Sequence, residues 1–143
     1  MSNHAPYCLD PVLHKDTFFV TQLPLCEVRL MNDAQYPWLI LVPRVADVTE
    51  IIELSDAQHL QLLAESRAVS KVLLALYTPD KLNIAALGNV VKQLHIHHIA
   101  RYTSDAAWPA PVWGKLPSIG YAPEEANSAV LRLQAALAGE PIT

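Results

Sequence analysis

Apolar and polar positions divide the chain into a strand-rich first half and two helical stretches. Thr17 to Thr21 (Thr-Phe-Phe-Val-Thr) is dense in β-branched and aromatic residues, and Pro24 breaks the run. Cys26 to Leu30 (Cys-Glu-Val-Arg-Leu) alternates apolar with charged positions, so these two segments predict a hairpin. Turn residues fill Asn32 to Pro37, and Trp38 to Val42 (Trp-Leu-Ile-Leu-Val) then reads as a buried central strand ended by Pro43. Ser55-Asp-Ala-Gln58 matches a capping box, in which the serine hydroxyl and glutamine amide satisfy the first backbone groups of a helix. From Ala57 to Tyr77, Leu62, Val69, Leu73 and Leu76 recur at helical spacing, and Pro79 stops the run.

The second half predicts a strand over Leu82 to Leu87, a turn at Gly88-Asn89 and another strand from Val90 to Arg101, joined as a hairpin. Trp108 to Gly114 holds too much proline for a helix or central strand, so it reads as an ordered loop pinned by Trp108 and Trp113. A last helix spans about residues 122–139. Pro123 suits its first turn, Glu124 and Glu125 complement its N-terminal dipole, Val130, Leu133 and Leu137 form the stripe, and Gly139 ends it.

A chain of 143 residues, 52% apolar and 17% charged, is expected to fold as one domain over 1–143. The net charge of −4 gives no broad cationic field for a nucleic-acid polymer, although a local phosphate site remains open. Cys8 and Cys26 lack metal-site spacing and read as free thiols. Without a signal-like start or an apolar run near the roughly 18 residues that span a bilayer, a soluble cytoplasmic protein is expected.

The candidate chemistry lies in Gln93-Leu-His-Ile-His-His-Ile-Ala-Arg101. In a strand, Gln93, His95, His97, Ile99 and Arg101 share one face, while Leu94, Ile96 and His98 share the other. His95 and His97 then stand about 7 Å apart along the strand, suited to one phosphate group. Two imidazoles and an amide supply a nucleophilic nitrogen and hydrogen-bond donors for phosphoryl oxygens. The bare His-x-His also suits zinc or copper, or a pair of solvent-facing strand residues. No Gly-rich phosphate loop or carboxylate cluster asks for a metal, so no cofactor is expected.

The stretch Gly88-Asn-Val-Val-Lys-Gln-Leu-His-Ile-His-His-Ile-Ala-Arg101 resembles the alternating-histidine strand of the histidine triad (HIT) family. Trp38 to Arg44 resembles that family's His-x-Leu-Val-x-Pro-Lys strand, and the likeness runs to the Trp108-Pro109 loop. Together with the order of elements it implies an α+β fold: an antiparallel sheet of about five strands, a long helix packed on one face and a C-terminal helix. It also implies a homodimer and a nucleotide or nucleotidyl-phosphate ligand. His95 aligns with the histidine that attacks the α-phosphorus, and His97 with the one that binds phosphate and assists the leaving group. Gln93 takes the place of the first triad histidine, with its side-chain amide expected to donate to phosphoryl oxygen and its backbone carbonyl expected to accept His95 Nδ1–H. Asn89, Trp38 and Asn32 fall where relatives contact phosphate or nucleotide. Asn89 replaces a glutamine, Val90 a hydroxyl residue and Trp38 an upstream histidine. The implied activity is hydrolysis or transfer on a nucleoside phosphoramidate, an adenylylated compound or a dinucleoside polyphosphate. The alternatives are an inactive nucleotide-binding module and a metal-binding protein. His98 reads as a structural histidine at the core edge or a subunit contact, His59 as a surface residue near the start of the first helix, and Arg101 as a solvated strand end.

Overall fold

The computed structural model describes residues 6–142. Five strands form one antiparallel sheet: β1 (Thr17–Gln22), β2 (Cys26–Met31), β3 (Trp38–Pro43), β4 (Lys81–Ala86) and β5 (Ile96–Arg101), in the order β1-β2-β3-β5-β4. Three helices accompany it: α1 (Pro11–Asp16), α2 (Asp56–Tyr77) and α3 (Pro123–Ala138). The α+β architecture expected from the sequence is therefore present. None of the described helices is long and apolar enough to cross a membrane.

Strand alternation sorts the side chains into two layers. Val28, Leu30, Leu41 and Ile96 pack against Leu62, Val69 and Leu73 of α2, with Leu133 and Leu137 of α3 joining the same core. Each such aliphatic side chain removed from water contributes about 2 kcal/mol to stability. Glu65 lies on the buried stripe of α2, where an unsatisfied carboxylate would be costly. It instead accepts hydrogen bonds from the backbone of Leu25 (2.8 Å) and Cys26 (2.7 Å) and from the Gln61 amide (2.7 Å), tying α2 to the start of β2. The helix opens with the expected Ser55/Gln58 capping box. It closes at Thr78, in the left-handed region at φ 42°, ahead of Pro79.

The opposite face of the sheet carries a second apolar layer built on Leu13, Tyr36, Trp38, Ile40, Ile99 and Val112. Helix α1 belongs to this side. Sequence reading passed over it, although Asp10-Pro11 is a cap-and-first-turn pair and the Asp10 carboxylate does accept the Val12 N–H at 2.8 Å.

One expectation needs correction. The Gly88-Asn89 turn does not join two long strands: β4 ends at Ala86, β5 begins at Ile96, and residues 87–95 form a loop. Apolar composition suggested strand for Val90 to Leu94, yet this backbone finds partners elsewhere, as where Leu94 N–H bonds to the Val48 carbonyl at 3.0 Å. Val90 faces solvent at 89% exposure, while Val91 anchors the loop in the second apolar layer. Gly88 permits the bend, because a Cβ there would meet the Val91 carbonyl at 3.1 Å. His95 thus sits on this loop, one residue before the strand.

Candidate active site

Because β5 runs between β3 and β4, residues on its face away from α2 project from the interior of the sheet into the second layer. His97 lies opposite Ile40 on one side and Ala85 on the other. His95 closes up beside it, with ring centroids 4.8 Å apart at an interplanar angle of 71°. Alternation survives the end of the strand, since Leu94 and Ile96 turn to the α2 side while Val91 and Ile99 turn to the other. The histidines are only 6% and 4% exposed. A cleft of about 460 Å³ reaches His95, with Thr49, Glu50, Gly88, Asn89 and Lys92 among its other lining residues, whereas His97 touches the His95 ring without lining that cleft.

Hydrogen bonding assigns the protons on both rings. His95 Nδ1 lies 2.7 Å from the Gln93 backbone carbonyl oxygen, which can only accept, so Nδ1 carries a hydrogen and the neutral ring has its lone pair on Nε2. That bond was anticipated from the sequence. His97 Nδ1 lies 3.0 Å from Trp38 Nε1, and an indole N–H can only donate. Nδ1 of His97 is therefore the acceptor and its proton sits on Nε2. Burial, reinforced by neighbouring His95, lowers the His97 pKa to about 3, against an upward pull from the Leu87 backbone. The ring is neutral throughout the physiological range. A second tryptophan, Trp113, stands edge-on to it at 5.1 Å.

His98 points the other way, between sheet and helix. Its Nδ1 donates to the Ile96 carbonyl at 3.1 Å and its Nε2 accepts the Ser66 hydroxyl of α2 at 2.7 Å. Burial lowers its pKa to about 4, as expected of a structural histidine. Gln93 departs from expectation: its amide nitrogen donates to the Cys8 carbonyl at 2.9 Å and its amide oxygen accepts Asp10 N–H at 2.8 Å. The group expected to meet a phosphoryl oxygen instead holds the segment before α1. The same segment is fastened at Tyr7, whose hydroxyl donates to Glu27 at 3.0 Å beside the buried Arg29–Glu27 ion pair. A metal would find no cluster of three or more His, Cys, Asp or Glu donors among the described residues.

A model of the HIT domain matches residues 12–104. The chain belongs to the HIT family. A histidine triad protein from Marinobacter aquaeolei is similar to this HIT chain at 48% identity and a TM-score of 0.91, covering 94% of this chain and 98% of that one. One from Bradyrhizobium japonicum aligns at 45% identity and a TM-score of 0.90, covering 93% and 99%. A third, from Sinorhizobium meliloti, shows 41% identity and a TM-score of 0.88 over 91% and 96%. No curated protein matches the chain.

Within this HIT domain the residues singled out from the sequence do not all converge. His95, Gln93 and Asn89 line the cleft; His97 and Trp38 do not, and connect to it through the His97–His95 ring contact and the Trp38–His97 hydrogen bond. Asn32 does not line it. Its side-chain oxygen accepts Tyr121 N–H at 2.8 Å, and with Asp33 and Gln35 it holds the segment leading into α3. Arg101 is not a solvated strand end: at 1% exposure it forms a two-armed ion pair with Asp105 (2.8 and 3.1 Å), bonds Asn83 and the Ala110 carbonyl, and lies over the rings of Tyr36 and Trp108. It organises the loop that carries Trp113. Sequence reading also missed Lys92 and the Thr49–Glu50 wall. Lys92 was legible as the only cation between Gly88 and the histidines, whereas Thr49 and Glu50 arrive through tertiary structure alone.

Proposed function

We propose that this HIT protein binds a nucleotidyl phosphate and hydrolyses or transfers its nucleotidyl group through a covalent intermediate on His95. The observation that carries the reading is the hydrogen bond from His95 Nδ1 to the Gln93 carbonyl, which leaves Nε2 with a free lone pair in a ring that lines an open cleft. His97, in ring contact with His95, would turn its Nε2–H from the Leu87 backbone to a phosphoryl oxygen, and Lys92 brings a positive charge to the cleft wall for the charge that builds during transfer. Asn89 lines the same cleft and would add a side-chain donor. Gln93 contributes through its carbonyl, which sets the nucleophile's tautomer, as the triad residue replaced by glutamine.

The substrate class is a nucleoside phosphoramidate, an adenylylated compound or a dinucleoside polyphosphate, turned over without a metal. A homodimer in the cytoplasm suits the two free thiols and the exposed apolar side chains of Leu60 and Leu63 on α2 and of Ile84 on edge strand β4. The competing reading, a nucleotide-binding module without turnover, draws on the near-complete burial of both rings. Incubation with these substrates separates the two: release of AMP by the wild type and its loss in His95→Ala supports the enzyme, whereas AMP binding without release supports the module.

A further inference from the structure

Building on the nucleotidyl-transfer reading above, we propose that Trp38 is a positioning residue that fixes His97 as a hydrogen-bond donor unable to deliver a proton. The site consequently selects substrates whose leaving group departs as a stable anion, a phosphate or polyphosphate, over those that release an amine.

The argument starts from what each atom can do. The indole N–H of Trp38 points at His97 Nδ1 from 3.0 Å. An imidazolium needs hydrogens on both ring nitrogens, so protonating His97 would set two N–H groups head to head across that distance. Trp38 has little room to turn aside. It is 6% exposed, paired through its backbone with Ile99, and wedged edge-on between Tyr36 (6.4 Å) and Trp113 (5.9 Å). The ionisable groups acting on His97 are His95 and His98, and a positive charge on either opposes a second cation. The depressed His97 pKa agrees with this geometry. A neutral His97 that gave up its Nε2 proton would become an imidazolate, so its service is hydrogen bonding alone.

Leaving groups respond differently. In the first step the His95 Nε2 lone pair forms a bond to phosphorus and the bond to the leaving atom breaks, its electron pair leaving with that atom. An anhydride oxygen departs as a phosphate or polyphosphate anion that needs no proton. A phosphoramidate nitrogen taking the same pair would leave as an amide anion unless protonated, and neither imidazole delivers that proton, which would have to come from solvent or from the exposed Lys92 ammonium, ordinarily a far weaker acid than an imidazolium. In the second step water attacks phosphorus, the P–N pair returns to Nε2, and the water proton passes to solvent, giving AMP from an adenylyl substrate. His95 keeps its Nδ1–H on the Gln93 carbonyl throughout.

Two readouts test the proposal separately. With ¹⁵N-labelled histidine, long-range proton–nitrogen correlation in the wild type is expected to show His97 with unprotonated Nδ1 and protonated Nε2, unchanged from pH 8 to pH 5. In Trp38→Phe, Nδ1 is expected to gain protonation on acidification. A wild-type His97 that carries its proton on Nδ1, or titrates within that range, overturns the lock whether or not the protein is an enzyme. In the second arm, kcat/KM for a dinucleoside polyphosphate is expected to exceed that for an alkylamine adenosine phosphoramidate by about a hundredfold, the usual worth of a general acid. Trp38→Phe is expected to narrow that ratio and to add an acid-dependent limb to amine release. Equal turnover of both substrates by the wild type overturns the selection. Failure to cleave either overturns the enzymatic reading and the selection with it, leaving the ring nitrogens to report on the lock.

Discussion

His95 and His97 face each other ring to ring at 4.8 Å in opposite tautomers, one with its hydrogen on Nδ1 and the other with its hydrogen on Nε2. The pair divides two jobs, a lone pair for phosphorus and a hydrogen for its oxygens, and each assignment is enforced by a group that can only accept or only donate.

If His97 serves only as a donor, an amide should replace it in part. His97→Gln is expected to lower kcat/KM for a dinucleoside polyphosphate by about tenfold, and His97→Ala by about a hundredfold or more, the scale of a lost oxyanion donor. Equal losses in the two variants would show that proton transfer, not hydrogen bonding, is the contribution of this ring.

Acid should destabilise the fold through the same buried rings. Both His97 and His98 have folded pKa values depressed from 6.5, to about 3 and about 4. Above pH 6.5 both states are neutral and nothing is lost; as pH falls below it, the unfolded chain takes up protons that the folded one refuses, down to the folded pKa. Each ring should therefore subtract about 2 kcal/mol between pH 7 and pH 5. Urea unfolding at the two pH values measures the sum, and His98→Leu should flatten the dependence.

Arg101 anchors the far end of β5. Arg101→Met removes the partner of the Asp105 carboxylate, which also receives the backbone N–H groups of Tyr102, Ala107 and Trp108. An unpaired buried charge costs about 3–5 kcal/mol, so chemical denaturation should show a loss of that order. Tryptophan emission should shift to the red as the loop bearing Trp113 loosens.

Gln93 ties the segment before α1 to the site. Gln93→Ala is expected to cost about 1–2 kcal/mol and to speed amide exchange at Asp10, whose N–H loses its acceptor, while leaving the His95–Gln93 backbone hydrogen bond in place. Unchanged exchange at Asp10 would contradict that tether.

Most of the architecture was legible from local signals. The capping box at Ser55, the proline stops at Pro43 and Pro79, and the period-two and helical stripes place β1 to β3, α2 and α3 to within about two residues. The error at Val90 to Leu94 arose because valine and leucine favour strands wherever their backbone can pair, and here the tertiary partner is Val48 rather than β4. In the site, alternation and the histidine spacing were enough to place His95 and His97 on one side. The direction of the Gln93 amide, the Trp38 hydrogen bond and the Trp113 contact were not, because each depends on chain segments brought together from across the sequence. Arg101 was misjudged for the same reason: its carboxylate partner, four residues on, becomes buried only when the Trp108 loop folds back.

The claim on which the account turns is that His95 Nε2 forms a bond to phosphorus. Rapid acid-free quenching of the wild type with an adenylyl substrate, followed by intact-protein mass measurement, addresses it directly. The account predicts a species heavier by one adenylyl group, present with His97→Gln and absent with His95→Ala. AMP release at full rate from His95→Ala, or an adduct that persists in that variant, would contradict it.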